Sequence, residues 1–109
     1  MDSTNFDYEF LNETDRPDEP LRTEARTRML ELAEGHDDLV GAAVSLEELT
    51  SSNTPHRYEA RVVAYIRPEN IAAVEKGDTA INALQAALDA AERQIRKKRE
   101  KLRTRWKQP

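Results

Sequence analysis

The alternation of apolar and polar residues begins almost at once. In "FDYEFL", Phe6, Tyr8 and Phe10 fall on one side and Asp7 and Glu9 on the other, the period of two that a half-buried strand shows. The next stretch, "NETDRPDEP", carries two prolines and four acids and predicts a loop leading into a helix. Asp18 or Glu19 precedes Pro20, which suits a first helical position because the N–H it lacks would be unpaired there. Leu21, Ala25, Met29 and Leu32 then recur at i, i+4, i+8 and i+11, an apolar stripe over about three turns. Gly35 is placed to end that helix in a left-handed conformation.

A second strand is predicted in "LVGAAVSLEEL", with Val40, Ala42, Val44 and Leu46 on one face, and a turn in the polar "TSSNTP". In "HRYEARVVAYIR" the alternation is clearest: Tyr58, Ala60, Val62, Ala64 and Ile66 face one way, and Arg57, Glu59, Arg61, Val63, Tyr65 and Arg67 the other. A turn at Pro68-Glu69 leads to "NIAAVEKG", which reads as a fourth strand although its alanines also suit a helix. Asp78 or Thr79 caps a last helix whose Ile81, Leu84, Leu88, Ala91 and Ile95 are spaced by three and four. The order β-α-β-β-β-α predicts a two-layer α+β domain, an antiparallel-rich four-stranded sheet with both helices on one face.

Length allows one domain, residues 1–109, with residues 1–5 loose: a second core would bury too little apolar area to offset its ordering entropy. Hydrophobic residues make up 38% and charged ones 35%, so the core is small but sufficient for folding. Cysteine is absent, which excludes disulfides, thiolate metal sites and Cys nucleophiles. The acidic start "MDSTNFDYEF" contains neither a basic leader nor an apolar span. A soluble cytoplasmic protein is expected, and in that setting the sequon at Asn12-Glu13-Thr14 carries no meaning.

Charge changes the picture more. The net value is −4, yet residues 93–109 contain nine Lys or Arg against the single acid Glu100, a balance of +8 that leaves −12 for the rest. Past Ile95 the apolar seam continues only at Leu102, because Lys98 and Arg105 occupy the other row, so burial should fade there. A helix over 79–107 would measure about 43 Å against a domain about 30 Å across, so its end, about 96–109, is expected to project. Like charges crowded on one helix repel and gain little from i,i+4 pairing, and a surface built only for solubility mixes signs. A polyanion is therefore a candidate partner, although a solvated helix end that suits the dipole would also be basic. Trp106, between Arg105 and Lys107, could stack on an unpaired base or fold back over Leu102. Arg57, Arg61 and Tyr65, evenly spaced on the third strand, form a secondary candidate patch on the open sheet face.

Nothing points to catalysis. Gly35, Gly41 and Gly77 are the only glycines, and no phosphate loop can be assembled from them. His36-Asp37-Asp38 reads as a surface turn rather than a metal site, since three consecutive side chains rarely converge on one ion. His56 has no evident partner, and no carboxylate pair is fixed for acid–base work. No enzyme, metal, cofactor, small-molecule substrate or membrane contact is expected.

With that element order and basic ending in view, the chain resembles the ribosome hibernation-promoting factor and ribosome-associated inhibitor family, from about Phe6 to Lys101. The most specific stretch is "GDTAINALQAALDAAERQIRKKREK", in which Asp78, Ala80, Ile81, Leu88, Gln94, Ile95, Arg96, Lys97 and Lys98 match the family pattern; "LNET" with Leu21-Arg22 is a weaker match. The resemblance implies a fold like that of double-stranded-RNA-binding domains, in the family's short form without the domain by which long members pair ribosomes. It also implies binding between the head and body of the small ribosomal subunit, where tRNA and mRNA paths are blocked. Carried over, the rRNA contacts would be Arg93, Arg96, Lys97, Lys98, Arg99 and Lys101; Arg103, Arg105 and Trp106 extend the pattern. Departures are the mixed first helix, where Arg22, Arg26 and Arg28 alternate with Glu24, Glu31 and Glu34, and Thr79 where an aromatic is usual. Alternatives are a relative that binds another structured RNA, or an interaction module whose terminal helix pairs with an acidic protein. A monomer is expected, since Lys98 and Arg105 would bury like charges in a self-paired seam.

Overall fold

A computed structural model describes residues 6–49 and 57–107. The loose start at 1–5, the turn expected at 50–55, His56 and the last two residues lie outside the described residues. Six elements follow in the expected order: β1 (Asp7–Glu13), α1 (Asp18–Ala33), β2 (Leu39–Glu48), β3 (Tyr58–Ile66), β4 (Ile71–Gly77) and α2 (Ala80–Lys107). The strands lie side by side as β1-β2-β3-β4. β2, β3 and β4 are antiparallel neighbours, while β1 is parallel to β2 through the α1 crossover, so the sheet is mixed.

The first strand runs farther than its apolar alternation, to Glu13, and Asn12 ends it. The Asn12 side chain accepts hydrogen bonds from the Thr14 N–H (3.0 Å) and hydroxyl (2.6 Å) and donates to the Arg16 carbonyl (3.1 Å), a local turn that competes with the ladder. Helix α1 starts at Asp18 rather than Pro20, which still falls in the first turn, where its missing N–H costs nothing. Leu21, Ala25, Met29 and Leu32 are all buried. Gly35 takes φ +76° just past the helix end, a conformation that costs a residue with a side chain more than it costs glycine. The Tyr8 hydroxyl donates to the Arg22 carbonyl at 3.2 Å, and burial pushes that phenol up to about 12.

On β3 the five inward residues Tyr58, Ala60, Val62, Ala64 and Ile66 are all buried. β2 departs from simple alternation at its start. The register shifts between Leu39 and Gly41, so that Leu39 is buried and Val40, expected inside, is 38% exposed; an extra residue in one strand reverses which face its neighbours take. From Ala42 onward Ala42, Val44 and Leu46 point inward as expected.

In α2 the buried row is richer in alanine than its larger residues suggested: Ala80, Ala83, Ala87, Ala90 and Ala91 are buried with Leu84, Leu88 and Ile95, whereas Ile81 is 37% exposed. These small residues meet Ala60, Ala64 and Ala73 of the sheet in one core. The Thr79 hydroxyl accepts the Asn82 N–H at 3.1 Å and caps α2. Contact is tightest at the end of β4, where a Cβ on Gly77 would lie 2.6 Å from the Ala83 nitrogen. Among the described residues the core contains no polar or charged side chain, so any chemistry is on the surface.

Replacing Gly77 by Ala forces α2 away from β4. Overpacking of this kind should cost about 2 kcal/mol, measurable as a lower urea midpoint with an unchanged m-value.

Candidate nucleic-acid interface

Among the described residues Ile95 is the last buried one of α2, yet the helix continues to Lys107. At about 1.5 Å per residue, the twelve positions 96–107 carry it roughly 18 Å farther. What holds this part to the body is electrostatic. Arg99 donates from Nε and Nη2 to the two Asp38 carboxylate oxygens, each at 2.8 Å, and from Nη2 to the Leu32 carbonyl at 2.9 Å. The side chains of Arg99 and Asp38 are 19% and 24% exposed, so the bidentate pair is largely shielded and of the strong kind. The Arg99 guanidinium holds the Asp38 carboxyl below its ordinary value, against the opposing effect of burial. Lys98, in the same seam, approaches Glu69 of the β3–β4 turn at 3.9 Å.

The expected cations therefore divide. Lys98 and Arg99 face the body and have acidic partners there. Arg96 is exposed but reaches back to Glu92 at 2.7 Å, and Glu92 also receives Arg28 of α1 at 3.2 Å. Arg96 and Arg28 together keep the Glu92 carboxyl below its ordinary value. Arg93, Lys97 and Lys101 are exposed and make no ion pair among the described residues. Spaced by four, they form one row along the helix, and Arg105 continues that row on the helical repeat. The backbone is helical through Arg103, Arg105 and Trp106.

Lys97, Lys98 and Lys101 also line a cleft of about 390 Å³ between α2 and the turn holding Pro68 and Glu69. Exposed ammonium groups on an open cleft wall can donate to phosphate oxygens without losing a strong internal partner.

The secondary patch does not assemble. Arg57 lies just before β3, beside the start of α2, packs over the Tyr58 ring with its guanidinium carbon 5.9 Å from the centroid, and approaches Glu48 at 3.4 Å. Arg61 is exposed on the open sheet face, in the cross-strand row of Ser45 and Val74. Tyr65 is half-buried against Gly41. The three thus occupy different environments, and Arg57 is at the opposite end of α2 from Lys97. On α1, Arg22 is spent on Asp18 at 2.9 Å and on the Phe10 ring, and Arg28 on Glu24, Asp89 and Glu92. Among the described residues no His, Asp or Glu cluster could hold a metal ion.

Sequence reasoning missed Asp38 and Glu69 as partners. The signal was present in Lys98, which interrupts the apolar row: a cation on a seam facing the body needs an acid opposite.

Comparison with known proteins agrees with the fold. The model of the sigma 54 modulation protein / S30EA ribosomal protein family matches residues 16–103, and the chain belongs to that family, as the resemblance in its last helix implied. The fold is similar to the Thermus thermophilus Protein Y N-terminal domain, with a TM-score of 0.67 at 16% identity over 84% of this chain and 96% of that one. It is also similar to a ribosomal subunit interface protein from Coxiella burnetii, with a TM-score of 0.65 at 10% identity over 85% and 98%. No curated protein matches the sequence.

The Asp38–Arg99 tie has a pH signature. Because the folded-state pKa of Asp38 lies below its unfolded value, its stabilisation is complete above about pH 4 and is lost as pH falls through the folded value. Asp38→Asn should lower stability at neutral pH by about 2 kcal/mol. In denaturant titrations the gap from the wild type should close as pH falls below about 4.

Proposed function

We propose that this protein is a non-catalytic, ribosome-associated translation inhibitor of the hibernation type, acting by occupancy in the cytoplasm. It binds rRNA of the small subunit through the end of α2, while the α+β body blocks the tRNA and mRNA channel. Membership of the S30EA ribosomal protein family supports the association with ribosomes. The observation that carries the mechanism is the row of Arg93, Lys97 and Lys101, exposed and without an ion pair among the described residues, on a helix fixed to the body by Arg99.

The charge distribution suits this task. Phosphate contacts by Lys and Arg release counterions and favour association, with no need for base recognition. Arg96 joins the row at the cost of a surface pair with Glu92, which is worth little in water. Arg103 and Trp106 extend the surface toward unpaired bases, where an aromatic ring and a guanidinium stack on any base. Lys98 is shared between Glu69 and the phosphate cleft, and Arg99 sets the direction of the helix end. The body, with its −12 charge, is repelled by rRNA, so α2 determines the orientation. No described helix is long and apolar enough to cross a membrane.

The test is sedimentation with separated ribosomal subunits over a salt series. The wild type should pellet with small subunits at low salt and dissociate steeply as salt rises. Neutralising Arg93, Lys97 and Lys101 together should weaken binding on the order of 100-fold at low salt and flatten the log–log salt slope by about one unit per residue removed. Arg57→Ala and Arg61→Ala should change neither. Equal pelleting of the wild type and the triple variant would overturn the assignment.

A further inference from the structure

The two edges of the sheet differ. Along β4 the edge is covered: α2 packs against that strand, and Gln94 Nε2 donates to the Ala72 carbonyl at 3.1 Å. At the other edge the seven residues of β1 have β2 on their inner side and, among the described residues, no strand on their outer side. A Cβ on Gly41 would lie 2.5 Å from the Asp7 carbonyl oxygen, so that carbonyl is turned toward β2. By the alternation of a strand, the backbone N–H and C=O groups of Tyr8, Phe10 and Asn12 then point outward. Open edges are commonly blocked by proline, lysine or a bulge. β1 contains neither proline nor lysine, and its register with β2 is unbroken from Asp7 to Glu13.

The side chains say what such an edge accepts. Asp7, Glu9 and Glu13 are exposed on the open face of the sheet and make no ion pair among the described residues. Tyr8 and Phe10, with Phe6 just before them, are half-buried on the helix face. An added strand sets its own alternate residues beside these two rows, cations beside the acids and apolar groups beside the rings. Leu11, 55% exposed among the acids, offers a surface for the aliphatic stems of lysines. Arg22 and Arg26 of α1 act on Tyr8 from the helix side, so an incoming segment keeps its cations on the open face. A second copy of β1 would set acids against acids, and RNA would meet the same negative row.

We propose that the outer edge of β1 docks an extended protein segment that alternates cationic and apolar residues and joins the sheet as a fifth strand. Backbone hydrogen bonds to Tyr8, Phe10 and Asn12 supply affinity, and the acidic row selects charge and register. The edge is across the sheet from β4, along which α2 lies. Docking there leaves the basic row of α2 free and does not depend on the rRNA reading.

The probe is a fluorescein-labelled Lys-Val-Lys-Val-Lys-Val-Lys amide, titrated with the full chain at about 100 mM salt, where distant charges are screened. Saturable binding is expected, with amide exchange slowed at Tyr8, Phe10 and Asn12. A block peptide of the same composition, Lys-Lys-Lys-Lys-Val-Val-Val, should bind on the order of ten-fold more weakly, because it matches only part of each row. N-methylating the valines blocks an antiparallel addition and N-methylating the lysines a parallel one, so one of these two peptides should lose binding and the other keep it. Glu9→Lys with Glu13→Lys should weaken binding on the order of ten-fold, with unchanged circular dichroism, and should create binding of a Glu-Val-Glu-Val-Glu-Val-Glu amide. Equal binding of the alternating and block peptides, equal binding of the two N-methylated ones, or slowed exchange only outside β1 would overturn the added strand. Slowing of the same three amides with protein concentration alone would make a second copy the occupant and overturn the cationic segment.

Discussion

The bidentate pair between Arg99 and Asp38 is the contact on which the arrangement of this molecule turns. Among the described residues Ile95 is the last fully buried residue of α2, and a helix continued beyond its core has little besides its own marginal helicity to keep it straight. Asp38 sits just before β2, so the pair fastens the helix one turn past Ile95 to the junction of α1 and the sheet. Its extra bond to the Leu32 carbonyl also occupies an acceptor in the last turn of α1. One guanidinium thereby joins three elements.

That fastening sorts the cations by role. Side chains that face the body, Lys98 and Arg99, are matched by acids; side chains one face over, Arg93, Lys97 and Lys101, have none among the described residues. Mutual repulsion along such a row costs little while water screens it, and most of it is relieved when phosphates replace water. Closer to the core, Arg28 binds Asp89 and Glu92 and ties α1 to α2 within one layer. The alanine seam brings that layer close to the sheet, with Gly77 at its tightest point. Rigidity at that seam lets the helix end present its charges in a fixed direction, which lowers the ordering cost of binding.

Much of the fold was legible from periodicity. Every inward residue expected on α1 and β3 is buried, because regular helices and strands express their pattern directly. Legibility failed where a local irregularity changed the phase. The register shift beside Val40 turned that residue outward, and Asn12 ends β1 through side-chain hydrogen bonds that no hydrophobic pattern reveals. In α2 the larger residue Ile81 drew attention from the alanines that lie against the sheet, since small side chains signal close packing rather than hydrophobic weight. The candidate site was visible as a surplus of charge. Its division into tied and free cations was not, because Asp38 and Arg99 are 61 residues apart and only the tertiary fold brings them together.

In the proposed function the end of α2 lies against small-subunit rRNA, and the sequence offers a direct way to look. The chain has no cysteine, so Glu100→Cys provides a single thiol on the exposed face of the basic segment without removing a cation. A tethered iron chelate at that thiol cleaves any RNA backbone within reach. Cleavage confined to small-subunit rRNA lining the tRNA and mRNA channel is the predicted result; intact rRNA in a saturated complex, or cleavage confined to the large subunit, would contradict it.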